Sequence, residues 1–401
     1  MALIVQKFGG SSVADAEKIQ RVAWIIAETF TEGNDVVVVL SAQGDTTDDL
    51  ISKAFEINPN PSRREMDVLL STGEQASAAL MAMALEKLGM PVVSLTGWQI
   101  GMNTTSDYGN ARIKSVDSER ITSELDRRRI VLAAGFQGIN KYDDITTLGR
   151  GGSDTTAVAI AVSLRADLCR IYTDVEGVYT ADPRKVKGTH KLEEITYDEM
   201  LELASLGAQV LNNRAVEMAK RYNVNLEVLS SYVRKPGTIV KEVTKVENTK
   251  ISGVASDTNI ARIAIIGLRD EPGVAFKVFR ALANAKINVD IILQSIGRAE
   301  TKDISFTVAK AEMDRAEELL RGLQDSLGFT EISVTDKIAK ISIVGAGMMS
   351  APGIAATMFE ALFDAKVNIS MISTSEIKVS VLVDADDVGN ALSAIHDKFF
   401  N

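Results

Sequence analysis

The chain has 401 residues, which is too long for one ordinary domain and predicts two or three. Its formal net charge of −10 argues against nucleic acid or an anionic membrane as a main partner, because both require clustered lysine and arginine. Two histidines and one cysteine disfavour a histidine-based metal cluster, a Ser-His-Asp triad and an internal disulfide framework. A short apolar N-terminus and no apolar run of about 18 residues predict a cytoplasmic protein without a signal peptide or membrane span.

The first part of the chain, to about residue 240, alternates short β-branched runs with long amphipathic or alanine-rich stretches. This order predicts a three-layer α/β/α domain with a mostly parallel sheet. Val36–Leu40 has no polar alternation, which is typical of a strand covered on both faces. The predicted strands are Ala2–Lys7, Val36–Leu40, Val92–Leu95, Ile130–Ala134, Leu168–Thr173 and Asn225–Leu229, and predicted helices include Ala14–Phe30, Gly73–Leu88 and Thr155–Arg165.

The first predicted strand ends in a glycine-rich turn, Lys7-Phe8-Gly9-Gly10-Ser11-Ser12, before a helix begins. Glycines at such a turn let backbone N–H groups approach an anion, and Lys7 can bridge phosphate oxygens. The pattern is not a Walker A loop, because no Gly-Lys-Ser/Thr follows at the required spacing. Taken alone, an ordinary strand–helix turn explains these residues as well.

A second glycine-rich loop, Gly149–Thr156, leads into an apolar helical stretch. It too suits an anion at a helix start, although a capped helix with Asp154 as its N-cap explains the same letters. Two such loops, one with Lys7 and the other with Arg150 and Asp154, favour a phosphoryl donor and an anionic acceptor that meet head to head.

A third polar segment, Tyr172–Lys185, leaves the predicted strand Leu168–Thr173, at the kind of edge where ligands bind open α/β sheets. Tyr179 could border a base, and Arg184 or Lys185 could meet phosphates. A surface turn explains Asp182-Pro183-Arg184 equally well.

The C-terminal part contains an internal repeat. Pro272-Gly273 and Pro352-Gly353 each open a segment with Phe, Ala, Leu, Ala, Lys, Asn, Ile and Ser in the same places, at a constant offset of 352 − 272 = 80. Such a repeat indicates duplicated modules, and the pattern of each predicts the order β-α-β-β-α, to which a further strand could be added. Paired modules without catalytic clusters suggest small-molecule sensing, and a purely structural role stays open.

Taken in chain order, these motifs resemble aspartokinases, and the C-terminal repeat resembles the paired ACT modules that those enzymes carry. The resemblance covers the whole chain and implies an amino-acid-kinase domain at 1–245. Two βαββαβ ACT-like α+β modules would follow at 246–335 and 336–401, and the N-terminal strand of the first is open to assignment to the second. The motifs are Lys7–Ser12, Ser41–Asp48, Gly73-Glu74, Gly135–Gly138, Gly149–Thr156 and Tyr172–Arg184.

The resemblance implies that ATP with Mg²⁺ phosphorylates L-aspartate to 4-phospho-L-aspartate, the step that opens lysine, threonine and methionine biosynthesis. The chemistry accepts this assignment, because a carboxylate with a pKa of about 4 is ionised at pH 7 and needs no general base. Two anions must still meet, so positioning, metal and fixed cations should supply most of the catalysis.

The resemblance also implies roles for individual residues. Lys7 would stabilise the transferring phosphoryl group and Asp154 would orient Lys7. Arg150 would clamp the α-carboxylate and Glu74 would meet the α-ammonium. The implied substrate-binding residues are Ser41, Thr47, Glu74, Arg150, Gly151, Gly152 and Ser153, and the implied nucleotide-binding residues are Lys7, Phe8, Gly9, Gly10, Ser11, Thr173, Asp174, Tyr179, Asp182 and Arg184; the metal ligands stay unknown.

Simpler explanations exist for several of these residues. Glu74 is read as the beginning of a helical stretch, where an acid favours the helix dipole in any case. Ser41 and Thr47 suit an ordinary turn. Two departures from the family pattern are Gln43, where many relatives have Met, and Leu211-Asn212-Asn213-Arg214 in place of Leu-His-Pro-Arg.

In the repeat, the resemblance implies lysine and/or threonine as effectors and a homodimer or higher oligomer formed through the ACT modules. The implied effector contacts are Asp270, Ala275, Asp290, Gln294, Asn368, Ile369 and Thr374. Two other functions stay open: another acidic amino-acid kinase, and a catalytically silent amino-acid sensor. Ser41, Thr47 and the paired modules favour aspartate, while Lys7, Arg150 and Asp154 argue against a silent sensor.

Overall fold

The computed structural model describes residues 1–206, 210–244, 251–296 and 301–401. Of these, one compact unit holds 1–179, 191–205 and 210–244, and a second holds 180–190, 206 and the described residues from 251 onward. The domain boundary expected at residues 245 and 246 lies outside the described residues.

The first unit contains a large sheet, a small sheet and the helices that cover them. Its strands are β1 (Leu3–Phe8), β2 (Asp35–Leu40), β3 (Val92–Leu95), β4 (Met102–Thr104), β5 (Ile113–Val116), β6 (Ile130–Ala134), β7 (Gln137–Ile139), β8 (Ile145–Thr147), β9 (Leu168–Thr173), β10 (Glu194–Thr196), β11 (Leu226–Ser230) and β12 (Thr238–Lys241). Its helices are α1 (Ala16–Thr31), α2 (Thr46–Ile57), α3 (Arg63–Lys87), α4 (Glu119–Asp126), α5 (Gly152–Leu164), α6 (Tyr197–Ser205) and α7 (Asn213–Tyr222).

The large sheet has eight strands in the order β10-β12-β11-β9-β1-β2-β6-β3 among the described residues. Every neighbouring pair is parallel except β11 and β12, so the expected mostly parallel sheet is confirmed. All six strands read from the sequence lie in this sheet, with ends shifted by a residue at most. The short strands β4, β5, β7 and β8 form a separate small sheet that the sequence analysis missed, because runs of three or four residues carry little periodicity.

Helices cover both faces of the large sheet. Val36, Val38 and Leu40 of β2 pack in one cluster with α1 and α3. Val37 and Val39 are also fully buried, and alternation along a strand places them on the opposite face, where α5 contacts β1, β2 and β9. Burial on both faces explains why β2 is apolar at every position but its first.

Helix α3 begins at Arg63, not at Gly73 as predicted, and Ser62 caps its N-terminus by accepting a hydrogen bond from the Glu65 N–H. Glu74 therefore lies inside the helix, and the explanation of Glu74 as a first-turn acid is wrong. By length and composition alone, α3 would be long enough to cross a membrane. Half of that stretch is buried within the fold, where Asp67 and Glu74 are also buried, so α3 is a core helix.

The second unit contains two four-stranded antiparallel sheets that carry helices, as the repeat predicts. The strands are β13 (Gly253–Asp257), β14 (Ile260–Arg269), β15 (Ile292–Ile296), β16 (Thr301–Ala309), β17 (Glu331–Thr335), β18 (Ile338–Val344), β19 (Met371–Thr374) and β20 (Lys378–Asp384). The helices are α8 (Val274–Asn284), α9 (Met313–Arg321), α10 (Gln324–Leu327), α11 (Ile354–Asp364) and α12 (Val388–Phe400).

The two modules differ in how their strands are drawn from the sequence. The first has the sheet order β15-β16-β14-β17 and is continuous in sequence. The second has the order β13-β18-β20-β19, so its edge strand β13 comes from before the first module. Residues 180–190 also belong to this unit: Ala181 and Val186 join the apolar core of the second module.

Candidate active site

A cavity of about 730 Å³ lies in the first unit, where β1, β2 and β6 end. The carboxyl ends of parallel strands share one edge of the sheet, so the loops that follow these strands meet there. Its walls bring together eleven of the predicted residues, which come from four separate parts of the chain: Lys7, Gly9, Gly10, Ser41, Thr47, Glu74, Arg150, Gly151, Gly152, Ser153 and Asp154.

Lys7 and Asp154 form an ion pair at the cavity wall. Lys7 Nζ lies 2.7 Å from Asp154 Oδ1, and the two side chains are only 12% and 11% exposed. Lys7 is the penultimate residue of β1, and Asp154 is in the first turn of α5. A pair so nearly enclosed is costly to break from one side, because the remaining charge loses its partner.

The turn after β1 fits closely against the loop after β2. The Gly44 N–H donates to the Gly10 carbonyl over 3.0 Å. A Cβ on Gly10 would lie 2.6 Å from the Ala42 carbonyl oxygen, whereas one on Gly9 would meet nothing closer than Lys7 Nζ at 3.5 Å. Gly10 is thus required by this contact, and the turn begins with N–H groups that have no partner of their own within a helix.

Glu74 is a buried acid with one free oxygen. Its Oε1 accepts a hydrogen bond from the Ala42 N–H over 3.1 Å, while Oε2 has no hydrogen-bond partner among the described residues. The side chain is 4% exposed, and burial raises the pKa of the Glu74 carboxyl to about 7. A buried, unpaired carboxylate oxygen at a cavity wall is suited to accept from an ammonium group.

Two arginines also line the cavity, and neither forms an ion pair with the described residues. Arg150 stands in the loop before α5, and Arg63 is the first residue of α3. Both side chains are exposed. A guanidinium without a carboxylate partner is available to a carboxylate or phosphate of a ligand, which it binds through two parallel hydrogen bonds.

Helix α5 presents its N-terminus to the cavity. Gly151 precedes it with φ +69°, and Gly152, Ser153 and Asp154 of its first turn line the wall. The helix is buried from Gly152 to Ala161, so its N-terminal N–H groups and dipole act in a poorly solvated place. The N-cap position is Gly151, so the explanation of Asp154 as the N-cap is wrong.

Asp67 is a cavity residue that the sequence analysis missed. Its carboxylate accepts from Thr147 Oγ1 over 2.7 Å and from the N–H groups of Thr147 and Gly109, each over 2.9 Å. Burial raises the pKa of Asp67, and the hydrogen bond from Thr147 opposes that shift. Asp67 thus connects α3 to the loop at Gly109 and to β8. The sequence signal that could have identified it is an acid at an apolar position of a helix.

The predicted nucleotide residues do not all share this cavity. Phe8 is fully buried and stacks on Tyr172, so its side chain serves the core. Ser11 is exposed, and its carbonyl accepts from the Tyr232 hydroxyl. Thr173 ends β9, where its carbonyl accepts from the Ser231 N–H; Asp174 is exposed beyond it.

The later nucleotide residues divide between the units. Tyr179 forms an isolated bridge with Lys191 in the first unit. Asp182 and Arg184 belong to the second unit and pair with each other, Arg184 Nε lying 2.9 Å from Asp182 Oδ1. Arg184 holds the pKa of Asp182 below its usual value.

The predicted effector residues lie in the second unit, and both acids among them already have lysine partners. Asp290 accepts a hydrogen bond from Lys340, whose side chain is only 6% exposed, and Asp270 lies 2.6 Å from Lys302 Nζ. Ala275 and Ile369 are half-buried, and Gln294, Asn368 and Thr374 are exposed.

Comparison with known proteins defines the class first. The profile of the amino acid kinase family matches residues 2–230, and that of the ACT domain matches residues 263–322 and 341–399. The chain thus has the domains of an amino acid kinase that carries ACT domains.

Individual relatives narrow the class. The aspartokinase of Mycolicibacterium smegmatis is 53% identical over 405 residues, which cover 100% of this chain and 96% of that protein. The crystal structure of E. coli aspartokinase III in complex with aspartate and ADP (R-state) matches with a TM-score of 0.81 at 26% identity, with 100% of each chain covered. The structure of E. coli aspartokinase III in complex with lysine and aspartate (T-state) matches with a TM-score of 0.77 at 26% identity, again with 100% of each chain covered. The chain belongs to the aspartokinase family, and it is an enzyme of that family.

Proposed function

We propose that this aspartokinase transfers the γ-phosphoryl group of ATP to the side-chain carboxylate of L-aspartate, giving 4-phospho-L-aspartate and ADP. The observation that carries the proposal is that one cavity is lined by both Glu74 and Arg150. Among the described residues, Glu74 Oε2 has no hydrogen-bond partner and the Arg150 guanidinium has no ion-pair partner. The α-ammonium of an amino acid would bind Glu74, and its α-carboxylate would bind Arg150. In an acidic amino acid, the side-chain carboxylate is then left to react near Lys7. The E. coli relative in complex with aspartate and ADP supports the same pair of ligands.

The reaction needs charge neutralisation more than proton transfer. An acceptor carboxylate is ionised at pH 7, so one of its oxygens attacks the γ-phosphorus and the bond from that phosphorus to the ADP oxygen breaks. The ammonium of Lys7, held by Asp154, lies at the wall where negative charge builds on the transferring group. The first turn of α5 adds N–H donors and its dipole.

Mg²⁺ belongs to the proposal as the companion of the triphosphate. The described residues contain no group of three His, Cys, Asp or Glu side chains placed to hold a metal. This fits Mg²⁺, which keeps several waters and is commonly bound by substrate phosphates with one or two carboxylates. When bound, the ion neutralises phosphate charge.

Regulation by lysine and/or threonine at the ACT modules, entry into lysine, threonine and methionine biosynthesis, assembly through those modules and a cytoplasmic location complete the proposal. The E. coli relative in complex with lysine supports lysine as an effector. The acids Asp270 and Asp290 are the candidate partners of its ammonium groups. A free, buried Cys169 suits a reducing compartment.

The test is acyl-phosphate formation, trapped as a hydroxamate, from ATP, Mg²⁺ and L-aspartate, with and without lysine and threonine. We expect product that depends on aspartate, and a loss of at least about 100-fold in kcat for Lys7→Met, because a fixed charge is removed at the reacting group. Glutamate and N-acetylglutamate serve as comparison acceptors. Product with one of these but not with aspartate would replace the substrate, and no product with any acceptor would favour the silent sensor.

A further inference from the structure

The N-terminus of α7 contacts the loop that carries Arg150. Asn212, the N-cap of α7, donates from Nδ2 to the Arg150 carbonyl oxygen over 3.0 Å. The same side chain accepts from the Arg214 N–H through Oδ1, also over 3.0 Å. The Asn212 side-chain amide therefore caps the N-terminus of α7 with its oxygen and holds the Arg150 peptide with its nitrogen.

Arg214, in the first turn of α7, reaches the same loop. Its Nη1 donates to the Leu148 carbonyl over 2.6 Å and to Asn110 Oδ1 over 3.3 Å, and its Nη2 donates to the Ala111 carbonyl over 2.9 Å. The guanidinium thus joins the backbone that enters the Arg150 loop to the backbone around Asn110. Both Arg150 and Asn110 line the cavity.

The contact is so close that only glycine fits at position 151. A Cβ on Gly151 would lie 2.2 Å from Asn212 Nδ2, and Gly151 also has φ +69°, which a side chain disfavours. A Cβ on Gly149 would lie 3.3 Å from Asn110 Oδ1, the atom that Arg214 also contacts. Gly151 is therefore required by the contact with Asn212, and Gly149, with φ +78°, adds a second backbone position that favours glycine.

Arg150 has no ion-pair partner of its own among the described residues, and its side chain is exposed, so its direction depends on its peptide. Glycines flank it on both sides, and such a peptide is free to rotate unless something holds it. The Gly152 N–H closes a turn around Arg150 by donating to the Gly149 carbonyl over 2.9 Å, and Asn212 and Arg214 hold this turn against α7. A guanidinium that binds a carboxylate through two hydrogen bonds requires a fixed orientation, and a small displacement weakens both bonds.

We propose that Asn212 and Arg214 are positioning residues for Arg150, and that they set the affinity for the acceptor's α-carboxylate without touching it. This inference rests on the proposed function, in which Arg150 binds that group. It gives a role to Leu211-Asn212-Asn213-Arg214, the segment in which the sequence departs from the common family pattern. On this proposal, the segment contributes to binding of the acceptor amino acid.

The test separates positioning from helix capping. Asn212→Ser keeps a good N-cap residue but is too short to donate to the Arg150 carbonyl, whereas Asn212→Ala loses both functions. We expect KM for L-aspartate to rise about 3- to 10-fold in both variants, the loss of one hydrogen bond, with KM for ATP changed less than about 2-fold. Only Asn212→Ala should also show a lower Tm.

The matched control is Asn223→Ala at the other end of the same helix. Asn223 has φ +51° and donates from its N–H to the last turn of α7, so alanine there strains the helix without touching the Arg150 loop. It should lower Tm and leave KM for aspartate unchanged. An unchanged KM in Asn212→Ser, or an equal rise in Asn223→Ala, would overturn the inference.

The wild-type measurement keeps the two proposals distinct. If wild type forms the acyl phosphate from aspartate, the proposed function holds whatever the variants do. If it uses a different acidic amino acid, the same KM comparison with that acceptor decides the inference. If no acceptor supports turnover, both proposals fall.

Discussion

At the scale of single residues, Glu74 has the environment with the clearest chemical consequence. Its carboxyl is buried, one oxygen is free, and its pKa is raised to about 7 by burial. The same burial that makes the carboxylate a strong partner for an ammonium makes it easy to protonate when no ligand is bound. Acceptor binding should therefore depend on pH in the neutral range.

We predict that kcat/KM for L-aspartate falls about tenfold per pH unit below pH 7 and levels off above it. The binding form is the deprotonated carboxylate, which is lost as pH falls through the raised pKa, while the acceptor's own carboxylates stay ionised above about pH 5. The measurement is a pH–rate profile at saturating ATP. Glu74→Gln should lower kcat/KM and remove this acid limb.

Glu86→Gln is the matched control for this profile, since Glu86 is an exposed acid on the same helix. It should leave the acid limb in place. A profile of the wild type that is flat from pH 6 to 8 would remove Glu74 from acceptor binding.

At the scale of elements, the turn that follows Lys7 at the end of β1 lies in close contact with the loop after β2, which carries Ser41. Both loops leave neighbouring parallel strands, and Gly10 permits their backbones to touch. Such a contact is sensitive to one methyl group, because neither backbone can move without disturbing the sheet beneath it.

Gly10→Ala should lower Tm by about 2–4 °C and reduce kcat more than 10-fold, because its methyl group would lie 2.6 Å from the Ala42 carbonyl and force the loops apart. Thermal denaturation and steady-state kinetics measure the two effects. Gly9→Ala is the paired variant: its methyl group would lie 3.5 Å from Lys7 Nζ and 3.9 Å from the Tyr172 carbonyl oxygen, which are ordinary contact distances, and its backbone is extended. Its Tm should match wild type. Equal Tm values for the two variants would contradict the packing argument.

At the scale of the whole molecule, the regulatory proposal depends on what competes for the acids of the second unit. Asp290 lies on one module and its partner Lys340 lies on β18 of the other. An effector ammonium that binds Asp290 competes with a lysine side chain that already contacts its carboxylate. The ion pair therefore sets the effector concentration needed.

We predict that Lys340→Met lowers severalfold the concentration of free L-lysine that gives half-inhibition, because the Lys340 ammonium no longer competes for Asp290. Asp290→Asn should raise that concentration. Initial rates against lysine concentration measure both shifts. Lys310→Met is the control, since Lys310 pairs with Asp336, which is not a predicted effector contact. Shifts of the same sign in Lys340→Met and Asp290→Asn would show that the pair acts only structurally.

The periodicity of the chain was sufficient for much of the architecture. Uninterrupted apolar runs such as Val36–Leu40 indicated the central strands, and the 80-residue repeat indicated the two modules. Both signals are visible in the sequence, because the first lies within a short stretch and the second recurs at a constant offset. The glycine-rich motifs likewise named most of the residues that line the cavity. Their roles remain predictions, since the structure shows their placement and the experiments above address their function.

Other features arise only when distant segments meet. The burial of Asp67 and Glu74 depends on packing that a helical pattern does not display. The strand β13 completes a module that begins 81 residues after it ends, as 338 − 257 = 81 shows, and no local pattern specifies that partner. Asn212 and Arg214 reach the Arg150 loop across more than 60 residues of sequence. Composition and spacing report what a residue is able to do, whereas burial and the atoms nearby decide what it does.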